Sequence, residues 1–217
     1  AALDASNTDA NTAVGRSALT SLTTGGSNTS IGYNALGGLT TSSNNAAIGH
    51  NAGSGLTSGT HCTFLGNATA AGATNSGNNN TGVGSAALYS LTTGYNNVAI
   101  GYVSGYDATS AYENTLVGND SGQNITGAYR HVAIGVNTLE TATTSNYGVI
   151  IGYDAGNDST GSSNTLVGAF SGDFVSTGAY NTFFGYETGS YSINTTTGDG
   201  STIVGAFAHN SSATVDY

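Results

Sequence analysis

The chain has 217 residues, two basic side chains against twelve carboxylates, and a formal net charge of -10. With Arg16 and Arg130 as its only cations besides histidine, it has too little positive charge to neutralise phosphates. That excludes nucleic acid as a partner, and anionic membrane surfaces with it. No apolar run approaches the roughly 18 residues of a spanning helix, so membrane insertion is not expected.

Residues 1–10 read as an N-terminal segment, and the opening Ala1-Ala2-Leu3-Asp4 suits a processed or excised chain. From residue 11 to 209 one motif recurs, roughly Asn-Thr-x-Val/Ile-Gly. It closes on Gly15, Gly32, Gly49, Gly66, Gly84, Gly101, Gly118, Gly135, Gly152, Gly168, Gly185 and Gly205. Successive spacings are 17 residues except for one of 18, one of 16 and one of 20. Residues 210–217 form a C-terminal segment. So short a period leaves no room for an ordinary globular core. It predicts an all-β parallel β-solenoid, or β-roll, of about twelve 17-residue coils, homotrimeric or fibre-forming.

Within a coil the motif glycine serves as position zero. One residue before it the chain carries a large apolar side chain in every copy, from Val14 and Ile31 to Phe184 and Val204. Three before it stands Thr, Val or Ala, as in Thr12, Thr29, Ala46 and Val98. Two positions apart on a strand means one shared face, and this face is expected to line the coil interior. The glycine then permits a turn with positive φ. Small residues follow three after it (Ala18, Ala35, Ala52, Thr69, Ala87, Ser104, Ser121), and apolar ones about seven after it (Leu22, Leu39, Leu56, Leu91, Ile125, Val175). Two or three short strands per coil are expected, stacked at about 4.8 Å into a rod of roughly 58 Å.

Four before the glycine, asparagine recurs at positions 11, 28, 45, 80, 97, 114, 164 and 181, as a stacked amide ladder would. Cys62 occupies the same column and reads as a substituted ladder residue; as the one cysteine it has no internal disulfide partner. Between the two presumed inward positions lies a column that is never charged. In the later coils it becomes bulky: Phe64, Leu116, Ile150, Leu166, Phe183 and Ile203. Alternation places this column outside, and an exposed apolar stripe of that length predicts burial against another copy of the chain, a subunit interface.

Chemistry-bearing residues are sparse. Asp120, Asn137, Asp154 and Glu187 share the column two after the glycine, and a solvated face explains them better than a carboxylate pair or a calcium site. His50, His61, His131 and His209 show no ligand spacing. No nucleophile motif, phosphate loop or metal cluster is present, so no enzymatic activity and no cofactor is expected. Tyr33, Tyr102, Tyr153 and Tyr186 directly follow motif glycines, on the outside of a turn. They are candidate glycan contacts, with packing over neighbouring coils as the alternative. Asn-x-Ser/Thr triplets at Asn28, Asn67, Asn79, Asn119, Asn124, Asn157, Asn194 and Asn210 are glycan acceptors only in a glycosylating secretory route.

Stretches such as Asn11-Thr12-Ala13-Val14-Gly15 with Ala18-Leu19 and Leu22-Thr23-Thr24-Gly25, and Asn97-Val98-Ala99-Ile100-Gly101, resemble two groups of sequences. One is the repeat of phage tail-fibre-like proteins; the other is the head repeat of trimeric autotransporter adhesins, which are left-handed parallel β-rolls of three chains. The resemblance covers residues 11 to 209, with a repeat longer than that of the adhesin heads, and these 217 residues carry no stalk or membrane anchor of the adhesin kind. It implies a non-enzymatic, homotrimeric structural or adhesive fibre element, extracellular, at a cell or virion surface, with itself and cell-surface glycans as partners. An ice-binding solenoid is a further reading, since Thr recurs in the motif and in the Leu-Thr-Thr turns. Motif threonines that face inward count against it.

Overall fold

The computed structural model describes residues 10–189 and 197–209. Nearly all of the 1–10 segment, the 210–217 segment, and the triplets at Asn194 and Asn210 lie outside the described residues. The fold is all-β. Twelve three-residue strands form one parallel sheet in strict sequence order. They are β1 (Thr12–Val14), β2 (Thr29–Ile31), β3 (Ala46–Ile48), β4 (Thr63–Leu65), β5 (Thr81–Val83), β6 (Val98–Ile100), β7 (Thr115–Val117), β8 (Val132–Ile134), β9 (Val149–Ile151), β10 (Thr165–Val167), β11 (Thr182–Phe184) and β12 (Thr202–Val204). Eleven turns of the solenoid join them, about 17 residues each. Each coil carries one strand; turns make the rest of its circuit, where two or three strands were expected.

Register is in phase throughout: Thr12 pairs Thr29, Ala13 pairs Ser30, and Val14 pairs Ile31, with the same correspondence up the stack. Equivalent residues therefore stand above one another. Ladders of like side chains follow from that alone.

The motif glycine is fixed by two constraints. Its φ lies between +122° and +145° at every copy, a region essentially closed to residues with a side chain. At Gly118 a Cβ would also stand 2.0 Å from the carbonyl oxygen of Gly135 in the next coil. Three further positions per coil adopt a left-handed φ near +55°, for example Asn34, Leu36 and Asn44. Non-glycine residues tolerate that conformation, which is why those columns vary in type.

The column two before the glycine faces the interior, reversing the alternation expected from sequence. Phe64, Leu116, Ile150, Leu166 and Phe183 are fully buried and Ile203 is 7% exposed. They pack with Leu19, Leu36, Leu39, Leu56, Leu88, Leu91, Ile125 and Leu139 in one continuous core. The expectation of a subunit interface at these six residues is therefore corrected: their surface is consumed by the chain's own core. The reason is room. Glycine or alanine four after the motif glycine faces each large side chain across the coil. A Cβ on Gly122 would stand 2.7 Å from Leu116, one on Gly172 2.7 Å from Leu166, and one on Gly189 2.5 Å from Phe183. Where the column is small (Ala13, Ser30, Gly82, Ala133), the facing residue is Leu19, Leu36, Leu88 or Leu139. The two columns trade volume to keep the coil filled.

Asparagine builds the expected ladder on the inner side. The Oδ1 of Asn97 accepts from the backbone N–H of Asn114 at 3.2 Å and from its Nδ2 at 3.0 Å. The Nδ2 of Asn97 donates to the carbonyl of Ala111 at 2.7 Å. The same pattern runs through Asn28, Asn45 and Asn181. The small and apolar columns after the glycine are buried as expected, from Ala18 and Ser104 to Leu22 and Val175.

Candidate functional site

With the middle residue of each strand turned inward, its two neighbours face outward. The solenoid thus presents one flat face of two ranks. The first is Thr12, Thr29, Ala46, Thr63, Thr81, Val98, Thr115, Val132, Val149, Thr165, Thr182 and Thr202. The second is Val or Ile in most coils, with Leu65 and Phe184. Val14 is 56% exposed, Ile100 40%, Phe184 57% and Val204 68%. Both ranks were expected inside; the motif threonines face solvent. Neither rank contains a charge.

The strand-end edge of this face is the turn that begins with the motif glycine. Tyr33, Tyr102, Tyr153 and Tyr186 stand there, exposed as expected, and each is close to half open. Their rings pack over neighbouring coils. Tyr33 stacks on His50 at 5.2 Å, Tyr153 meets Phe170 edge-on at 5.3 Å, and Tyr186 lies between Phe170 and Phe207. Among the described residues Tyr102 has no ring stacked on it, so it keeps the most open π surface for a sugar. Asp120, Asn137, Asp154 and Glu187 follow at the next position, all with left-handed φ.

The strand-start edge holds a second aromatic series that sequence reasoning missed. Tyr95, Tyr112 and Tyr129 stack at centroid separations of 5.0 and 4.7 Å, and Tyr147 meets Tyr129 edge-on at 5.4 Å. Their 17-residue spacing was readable as a fourth column. Arg130 lies over Tyr129 and Tyr147, 5.6 and 5.4 Å from the ring centroids. It donates from Nε to Glu113 at 2.6 Å and from Nη1 to the Tyr147 hydroxyl at 2.8 Å.

Two ladder positions carry titratable groups. His131 and Cys62 both replace asparagine and are buried. Burial pushes the Cys62 thiol up to about 11 and holds His131 below its ordinary value near 6.5. Burial, with Asp154 and Asp158 adding to it, pushes Asp173 up to about 6. Among the described residues no group of three His, Cys, Asp or Glu side chains is placed to hold a metal ion, and no helix is long and apolar enough to cross a membrane. No protein-family model, curated protein or solved structure matches the chain.

Proposed function

We propose that this chain is a non-enzymatic structural and adhesive module of an extracellular or virion-surface fibre, and that it associates with further copies of itself through the flat face of its sheet. The observation that carries this reading is the uncharged outer rank running from Val14 to Val204, with Val, Ile, Leu and Phe side chains largely open to water. Single chains rarely leave so long an apolar stripe uncovered. Eleven steps of about 4.8 Å along a strand width of about 10 Å give a patch of roughly 500 Å². The flanking aromatic edges bring it to the scale of about 800 Å² per partner typical of a stable interface. A periodic face is also complementary to another copy of the same period. Homotrimer is the closed form that the sequence resemblance suggests.

Light scattering on the native protein tests this. A particle mass of three chains, or of a filament, supports it. A monomer at micromolar concentration overturns it.

The outward threonines favour a second reading, binding to ice. A flat, rigid sheet with Thr in eight of its twelve strands presents hydroxyls and methyls at a fixed repeat. This use needs the face open, so it belongs to a monomer. Thermal hysteresis in a monomeric preparation supports it, and none at high protein concentration removes it.

A further inference from the structure

Resting on the self-association just proposed, the two edges of the flat face carry a further consequence. Copies that close into a ring about an axis parallel to the rod all lie at one height, because any axial shift would accumulate into a helix. In a dimer or a trimer of that kind the interface is of one geometry: the strand-start edge of one chain meets the strand-end edge of the next, coil against coil. The two edges have opposite chemistry. The strand-start edge holds Arg130, ahead of β8. The strand-end edge holds Asp154, after β9, one coil of about 4.8 Å higher.

We propose that Arg130 of one chain pairs with Asp154 of its neighbour and that this contact sets the parallel, in-register arrangement of the assembly.

Within its own chain Arg130 reaches only toward β7, through Glu113. Its guanidinium is half exposed, with 47% of the side chain open, and a planar fork with five donors has capacity for a second carboxylate. Among the described residues no cation of the same chain forms an ion pair with Asp154. Negative potential is concentrated on that edge, where Asp158 and Asp154 together help raise the Asp173 carboxyl. The flat ranks themselves are nearly alike from coil to coil, so they supply adhesion without register; a slip of one coil leaves their contacts almost unchanged. A unique charge on one edge and its complement on the other remove that degeneracy.

Cysteine cross-linking in trans tests the arrangement. Chains carrying Arg130→Cys and chains carrying Asp154→Cys are co-expressed with different tags and treated with a short bis-maleimide. A covalent species of two 21.4 kDa chains bearing both tags, absent when either variant is expressed alone, is the expected result. A second pair, Asn96→Cys with Tyr102→Cys on the two edges of β6, reads the same register without removing a charge. Links within Arg130→Cys alone, or no link by either pair in a sample of oligomeric mass, overturn the proposed register while leaving self-association standing. A native mass of one chain overturns both.

Discussion

The backbone N–H of Gly148 donates to Nδ1 of His131 at 3.0 Å, the bond that asparagine Oδ1 accepts in the neighbouring coils. On the other side of the ring, Nε2 stands 2.7 Å from the carbonyl oxygen of Ser145, where asparagine would place its amide donor. Nδ1 as acceptor and Nε2–H as donor define one neutral tautomer. The imidazole thus reproduces both asparagine contacts, and only while uncharged.

Acid should therefore weaken the fold at this coil. The folded-state pKa of His131 lies below its ordinary value near 6.5 because burial disfavours the cation. Unfolding then takes up a proton: stability from this site is complete above the unfolded pKa and is lost as pH falls through the folded one. Melting temperature should drop between about pH 6.5 and pH 5 with a slope of up to about 1.4 kcal/mol per pH unit from this residue. His131→Asn should flatten that part of the profile.

Asn97→Ala should be costly without touching the outer surface. It strips the Ala111 carbonyl of its buried donor and Asn114 of its acceptor. A loss of about 2–3 kcal/mol is expected, read as a fall in melting temperature of roughly 5–10 °C.

Two alanine substitutions at motif glycines should differ sharply. Gly118→Ala meets both a φ of +139° and a carbonyl at 2.0 Å, and should prevent that coil from stacking on the next. Gly205→Ala has a φ of +122° but its nearest contact is Ala208 at 3.9 Å, so it bears conformational strain alone. Circular dichroism melts should show the first severely destabilised and the second reduced by about 1–3 kcal/mol.

Glutamate placed on the two strand faces separates assembly from folding. Leu116→Glu buries a charge in the core and should abolish the fold. Ile134→Glu puts the charge on the outer rank, where Ile134 is 38% exposed, and should leave the melting profile of the isolated chain intact while lowering the native mass to that of a monomer.

Cys62 should resist alkylation in the folded protein. Its sulfur is 3.3 Å from the Gly77 carbonyl, and burial that lifts the thiol to about 11 leaves little thiolate at neutral pH. Titration with a maleimide should show no modification until denaturant is added. Cys62→Asn restores a stronger donor and acceptor at a ladder position and should raise stability by about 1 kcal/mol.

Period, class and ladder were all legible in the sequence, for a shared reason. A 17-residue recurrence stacks like on like, so the positions of Gly118, Asn97 and Leu22 imply their contacts without any knowledge of distant packing. The hidden information concerned sides. Strand alternation separates Leu116 from Thr115 and Val117, yet it carries no sign saying which face is inner. Bulk and apolarity pointed to Val117 and its equivalents, since they are large in every coil. Only the enclosed cross-section decided otherwise, because Leu116 fits the space left by Gly122 and Phe183 that left by Gly189. That exchange of volume between columns six residues apart was present in the sequence as a pattern, but it becomes a constraint only when both side chains share one cavity.

The tertiary structure also decided what the surface offers. It turned the threonine and isoleucine ranks outward and brought Tyr95, Tyr112, Tyr129, Tyr147 and Arg130 together along one edge. Sequence spacing determines which residues repeat along the rod. Which of them meet water is determined by closure of the coil around its core, an outcome of volume that no single repeat contains.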